Sequence, residues 1–82
     1  MVGVKFYLYG TKLNALSRAD ILMKSLLHGV THFYADYEEK EDRFVVAAKL
    51  PKSELRNFRD TLSSEAQKEG AIITKITGPY KP

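Results

Sequence analysis

The chain has 82 residues, a formal charge of +3 and no cysteine. That length supports one small core and no second lobe with its own cleft, while the missing thiols exclude disulfides, thiolate catalysis and Cys-ligated zinc. The two histidines, His28 and His32, fall on different predicted elements with no third ligand beside them, so neither a metal nor a cofactor is expected.

The charge is unevenly placed. Segment 36–42 holds five acids and one Lys, so the total is a −4 tip on a +7 body. A basic body suits a polyanionic partner. No apolar run approaches a membrane span, and the chain opens on strand-like residues rather than a basic and then apolar leader. A cytoplasmic protein with no membrane partner is expected. Absence of Trp and scarcity of Asn and Gln, beside many Lys and Glu, lean toward a heat-adapted source.

Residues 2–10 alternate, with Val4, Phe6 and Leu8 on one side and Lys5, Tyr7 and Tyr9 on the other, the period of a strand covered on one face. Residues 10–15 form a loop. Ser17 then caps a helix with Asp20 three residues on, and Leu16 and Ile21 stand where a hydrophobic staple closes the entry. The spacing predicts that Ala19, Leu22, Met23, Leu26 and Leu27 form its buried face, with Gly29 as the stop.

Alternation returns over 30–38, opposing Phe33, Ala35 and Tyr37 to His32, Tyr34 and Asp36. A turn at 39–42 leads into a strand over 43–50 with Phe44, Val46, Ala48 and Leu50 facing the core. Pro51 ends it, and Ser53 is the expected cap of a second helix that buries Leu55, Phe58, Leu62 and Ala66 and stops at Gly70. Arg56, Arg59, Asp60, Glu65, Lys68 and Glu69 flank that stripe in water, where Lys52, Arg56 and Arg59 pair with acids along the helix. A last strand spans 71–77, with Ile72 and Ile76 inward and Ile73 and Lys75 outward as the favoured facing and the reverse one produced by a slip of one residue, and Gly78-Pro79 breaks it before a tail over 80–82.

The order strand, helix, strand, strand, helix, strand, joined by right-handed crossovers, is the ferredoxin-like α+β sandwich. It makes a single domain over 1–82, with four antiparallel strands, both helices on one face, and the first and third strands central. The uncovered face then displays Lys5, Tyr7, Tyr9, His32, Tyr34, Arg43, Val45, Lys49 and Lys75. Rings among cations are what single-stranded nucleic acid requires, because bases stack on the rings and phosphates meet Lys or Arg.

With 5–10 (Lys-Phe-Tyr-Leu-Tyr-Gly) on the first strand and 43–46 (Arg-Phe-Val-Val) on the third, the chain resembles a degenerate RNA-recognition motif. Tyr7 matches the stacking aromatic of that family's first-strand motif. The outward third-strand positions that are aromatic in the family are Val45 and Ala47 here, so two stacking platforms are missing.

The expected contacts with RNA are phosphate binding by Lys5, Lys12, Arg18, Arg43, Lys49 and Lys75, and stacking by Tyr7, Tyr9 and Tyr34. Lys24 is assigned to the wet side of the first helix, and the acidic tip to a solvated hairpin loop that discourages edge pairing. An enzyme is not expected. Residues 9–12 (Tyr-Gly-Thr-Lys) carry neither the anion-cradling loop ending in Arg of acylphosphatases nor the Asp of the second type of CRISPR-associated nucleases. The reading is a small basic RNA-binding protein with a structural role, a ribosomal or other ribonucleoprotein component, with RNA and other ribonucleoprotein proteins as partners. The alternative is a non-catalytic module that forms a homodimer through the same open face, with a small ligand as a further occupant.

Overall fold

The structure, a computed structural model, describes residues 1–81. Strands β1 (Val2–Thr11), β2 (His32–Glu38), β3 (Arg43–Leu50) and β4 (Ile72–Tyr80) form one sheet in the order β2-β3-β1-β4, each neighbouring pair antiparallel. Helices α1 (Arg18–Ser25) and α2 (Leu55–Lys68) complete the α+β ferredoxin-like sandwich that the element order predicts. Alternation does what its period requires: Val4, Phe6 and Leu8 of β1 and Phe44, Val46, Ala48 and Leu50 of β3 are buried under Phe58, Leu62 and Ala66 of α2 and Ile21 of α1. The Phe6 and Phe58 rings meet at 5.9 Å between centroids, and each such side chain contributes about 1.5–3 kcal/mol of burial.

Helix α1 starts as expected, with Ser17 Oγ accepting the Asp20 N–H at 3.2 Å and Leu16 and Ile21 buried. Its buried face differs from the expected one. Ile21 and Ser25 face the core, Leu22 is half-buried, and Ala19, Met23, Leu26 and Leu27 are exposed. Two local causes account for this. Ser25 is satisfied in the core because its hydroxyl donates to Ile21 O at 2.6 Å, and after only eight residues the helix tightens into a 3-10 turn over Leu26–His28, which breaks the 3.6-residue spacing. The turn's last residue, His28, ties the helix pair together, with Nδ1 3.2 Å from Glu54 Oε2 and Nε2 2.8 Å from Thr61 Oγ1.

Ser53 does not cap α2. It lies in a 3-10 turn over Lys52–Glu54, and Glu54 stands at the cap position without a side-chain bond to the helix's backbone N–H groups. Glu65, expected in water, is buried beside Lys68 at 3.4 Å, and Glu69 turns inward so that its Oε2 accepts the Ser17 N–H at 3.0 Å. Arg59 donates to Ile76 O on β4 at 3.3 Å instead of pairing along its helix.

The last strand departs most from simple alternation. Tyr9 pairs with Lys75 but Gly10 pairs with Ile73, so Thr74 is an extra residue, and its hydroxyl donates to Tyr9 O at 3.2 Å. This bulge turns Ile73 and Ile76, three residues apart, toward the core and leaves Ile72 exposed, which corrects the expected facing. Gly10 makes it possible, since a Cβ there would stand 1.9 Å from Ile72 O. A second irregularity carries the strand through Gly78-Pro79 to Tyr80, which pairs with Lys5; the expected break at this dipeptide does not occur. An edge strand tolerates Pro because its outer N–H has no partner to lose. Pro82, assigned to a terminal tail, lies outside the described residues. No helix among the described residues is long and apolar enough to cross a membrane.

Candidate functional site

The strand registers line up the side chains of the uncovered face in rows. Tyr34, Ala47, Lys5 and Tyr80 form one row, and Asp36, Val45, Tyr7 and Thr77 form the next. A third runs from Glu38 through Arg43 to Tyr9 and Lys75, Arg43 Nη1 donating to the Tyr9 hydroxyl at 3.4 Å. At the opposite end His32 pairs with Lys49, which faces Gly3.

Tyr7 sits at the centre of an interlocked group. The Arg43 guanidinium carbon is 3.9 Å from its ring centroid, Lys5 Nζ is 5.9 Å away, and the Tyr80 ring lies at 5.8 Å with a 45° tilt. Arg43 is also held by Glu38 through its Nε. The bonds to Glu38 and Tyr9 push its pKa further above the ordinary guanidinium value, so it is a permanent cation. Lys75 Nζ stands 5.9 Å from the Tyr9 ring. Val45, expected at the surface, is only 3% exposed, flanked by Tyr7 on β1 and Asp36 on β2. These contacts make the middle of the face a packed second layer rather than an open platform.

The rings that remain available are at the ends of the first row. Tyr34 is 54% exposed and Tyr80 48% exposed, and three strand spacings of about 4.8 Å put them roughly 14 Å apart. Lys5 and Ala47 lie between them. Beside Tyr34, a shallow depression of about 200 Å³ is lined by His32, Phe33, Ala47, Ala48 and Lys49.

Of the nine residues assigned to RNA contact, Lys5, Tyr7, Tyr9, Arg43 and Lys75 thus form one connected cluster. Tyr34 and Lys49 share its face toward the β2 edge. Lys12 is exposed just past the end of β1, in a left-handed conformation at φ 58°. Arg18 belongs to the helix layer, where it donates to Ala35 O at 3.5 Å, and does not join the sheet-face group. Two residues of the face escape sequence reasoning: Tyr80, and the acid Glu38 that borders it on β2 next to Asp36, which alternation already sets on this side. Strict alternation carried one step further would have found Glu38, whereas Tyr80 depends on an irregularity with no residue signal beyond Gly-Pro. No group of three or more His, Asp or Glu among the described residues is placed to hold a metal ion.

No family model matches the chain. Low affinity inorganic phosphate transporter 4 of Lotus japonicus is 32% identical over 73 residues, 89% of this chain and 14% of that protein. The chain therefore spans about a seventh of the length of this relative. Among solved structures, a formyltetrahydrofolate deformylase from Pseudomonas putida KT2440 aligns over 94% of this chain and 28% of its own, with a TM-score of 0.43 and 17% identity.

Proposed function

We propose that the open sheet face binds single-stranded segments of RNA, as a non-catalytic and mainly electrostatic contact surface. The observation that carries the reading is the row Tyr34–Ala47–Lys5–Tyr80, with an accessible ring at each end and a cation between. Bases stack on Tyr34 and Tyr80, and the intervening backbone crosses Lys5. Arg43 offers a guanidinium plane already stacked on Tyr7, and Lys49 and Lys75 hold phosphates at two corners. Asp36 disfavours phosphate at the β2 border, while the neighbouring Glu38 is neutralised by Arg43. The name of the Lotus japonicus relative concerns inorganic phosphate, and the phosphate group is the chemistry it shares with an RNA backbone.

The same reading includes a structural role in a ribosomal or other ribonucleoprotein particle, a cytoplasmic setting and a heat-adapted source. Its test is a salt titration with a fluorescent single-stranded RNA. Contacts from Lys5, Arg43, Lys49 and Lys75 give an expected slope of about −3 in log affinity against log salt, a loss on the order of 50-fold between 50 and 200 mM. Lys5→Glu with Lys49→Glu flattens the slope. Affinity unchanged by salt or by these substitutions contradicts the proposal.

A further inference from the structure

The apolar stripe of α1 lies uncovered. Met23 is 68% exposed and Leu27 78%, with Leu26 exposed and Leu22 half-buried beside them. Leu22 lines a groove of about 530 Å³ with Arg18, Ala19, Phe33, Tyr34 and Ala35, between α1 and the edge strand β2, whereas Leu27 lies on the side toward α2. A contiguous apolar patch of this kind marks an interaction surface. The edge itself is partly open. Tyr37 gives its N–H to the Asp36 carboxylate at 2.9 Å, so it points away from β3, and by alternation Phe33 and Ala35 also turn their amides outward. Among the described residues, two of these outward groups have partners within the chain: the Tyr37 N–H, held by its neighbour Asp36, and Ala35 O, which accepts from Arg18 at the long distance of 3.5 Å.

We propose that two copies of the chain pair antiparallel through their β2 edges, with the α1 helices side by side on one face of the joined sheet. The dyad passes through Tyr34. That register sets Phe33 against Ala35 of the other copy for four backbone hydrogen bonds, and His32 against Asp36. It also carries the acidic tip of each copy past the partner's Gly29. Gly29 lies against Pro51, next to Lys52, and Lys49 is one strand inward. The −4 tip therefore meets Lys52 and Lys49 of the other body, where the acid of the same turn, Glu54, is already engaged by His28 and Asn57, and this charge match favours a second copy over an unrelated apolar partner. Met23, Leu26 and Leu22 of the two helices close over the junction.

The chain contains no Cys, so single cysteines report the register without background. Sedimentation at tens of micromolar should give twice the 9.3 kDa chain mass. Met23→Glu with Leu26→Glu should give one chain mass with unchanged far-UV circular dichroism, because both side chains are exposed. Tyr34→Cys should form an intermolecular disulfide at least about tenfold faster than Thr74→Cys on the other edge, because the dyad supplies a high effective concentration. A monomeric wild type, a dimer that survives the double Glu change, or equal crosslinking of the two cysteine variants overturns the proposal. Lys5→Glu, which attacks the RNA contact, should leave the dimer intact.

Discussion

Arg43 stacks on Tyr7 with its guanidinium carbon 3.9 Å from the ring centroid, while Glu38 and the Tyr9 hydroxyl hold its nitrogens. A cation fixed this way on an aromatic face at a partly exposed site is worth about 0.5–1 kcal/mol. A double-mutant cycle of Arg43→Ala and Tyr7→Leu, read by urea denaturation, should return a coupling energy of that order. Additive effects would show that the stacking has no energetic weight.

The rotated packing of α1 gives a second expectation. Ile21 is fully buried and Leu26 is exposed, so Ile21→Ala should cost about 2–4 kcal/mol of stability and Leu26→Ala within about 0.5 kcal/mol under monomeric conditions. Equal losses in chemical denaturation would argue for the buried face that the spacing alone predicts.

Backbone approach at the β4 irregularities is testable through two glycines. A Cβ on Gly10 would stand 1.9 Å from Ile72 O, and one on Gly78, whose φ is +119°, would stand 2.6 Å from Lys5 O. Gly78→Ala should cost about 1–3 kcal/mol and loosen Tyr80, seen as a changed Tyr80 environment by nuclear magnetic resonance. Gly10→Ala must push β4 away from β1 and should be the more damaging of the two. A neutral Gly10→Ala would mean that the bulge is not held.

Glu69 should govern stability on the acid side. Burial raises its carboxyl above the ordinary 4.5, the Ser17 N–H opposes this, and Asp20 adds to the rise. The folded protein therefore holds a proton that the unfolded chain releases near pH 4.5, and stability falls as pH rises from there through the folded value. Thermal melts of Glu69→Gln, which keeps an acceptor for Ser17, should lack this fall. Glu54 acts in the opposite sense, because the Asn57 and His28 bonds lower its pKa; its contribution is present above 4.5 and is lost as pH drops through the folded value. Identical pH profiles for wild type and Glu69→Gln would remove Glu69 from this role.

Much of the architecture was legible in the residues. Alternation in β1 and β3 identified Val4, Phe6, Leu8, Phe44, Val46, Ala48 and Leu50 as core, and element order led to the sheet topology. Two of the misplacements arise because periodicity assumes an unbroken element: nothing in the sequence announces the 3-10 turn that turns Leu26 and Leu27 out, and the Thr74 bulge shifts the phase at Ile72. Ala19 and Met23 lie within the regular helix and are exposed because Ser25, a polar residue, takes a core position. At the candidate site the identities of Lys5, Tyr7, Tyr9, Arg43 and Lys75 were readable from facing alone. That Arg43 occupies the Tyr7 ring was not, since it depends on cross-strand register, and Tyr80 was hidden behind a Gly-Pro pair that reads as a terminator.

The most direct test of RNA binding on this face is ultraviolet crosslinking of a short oligouridine to the protein at low salt, followed by mass spectrometry of the modified peptides. Crosslinks should fall on Tyr34 and Tyr80, with Tyr7 modified only once Arg43→Ala uncovers its ring. Crosslinks confined to the helix layer, or none at low salt, would contradict the assignment of the open sheet face to RNA.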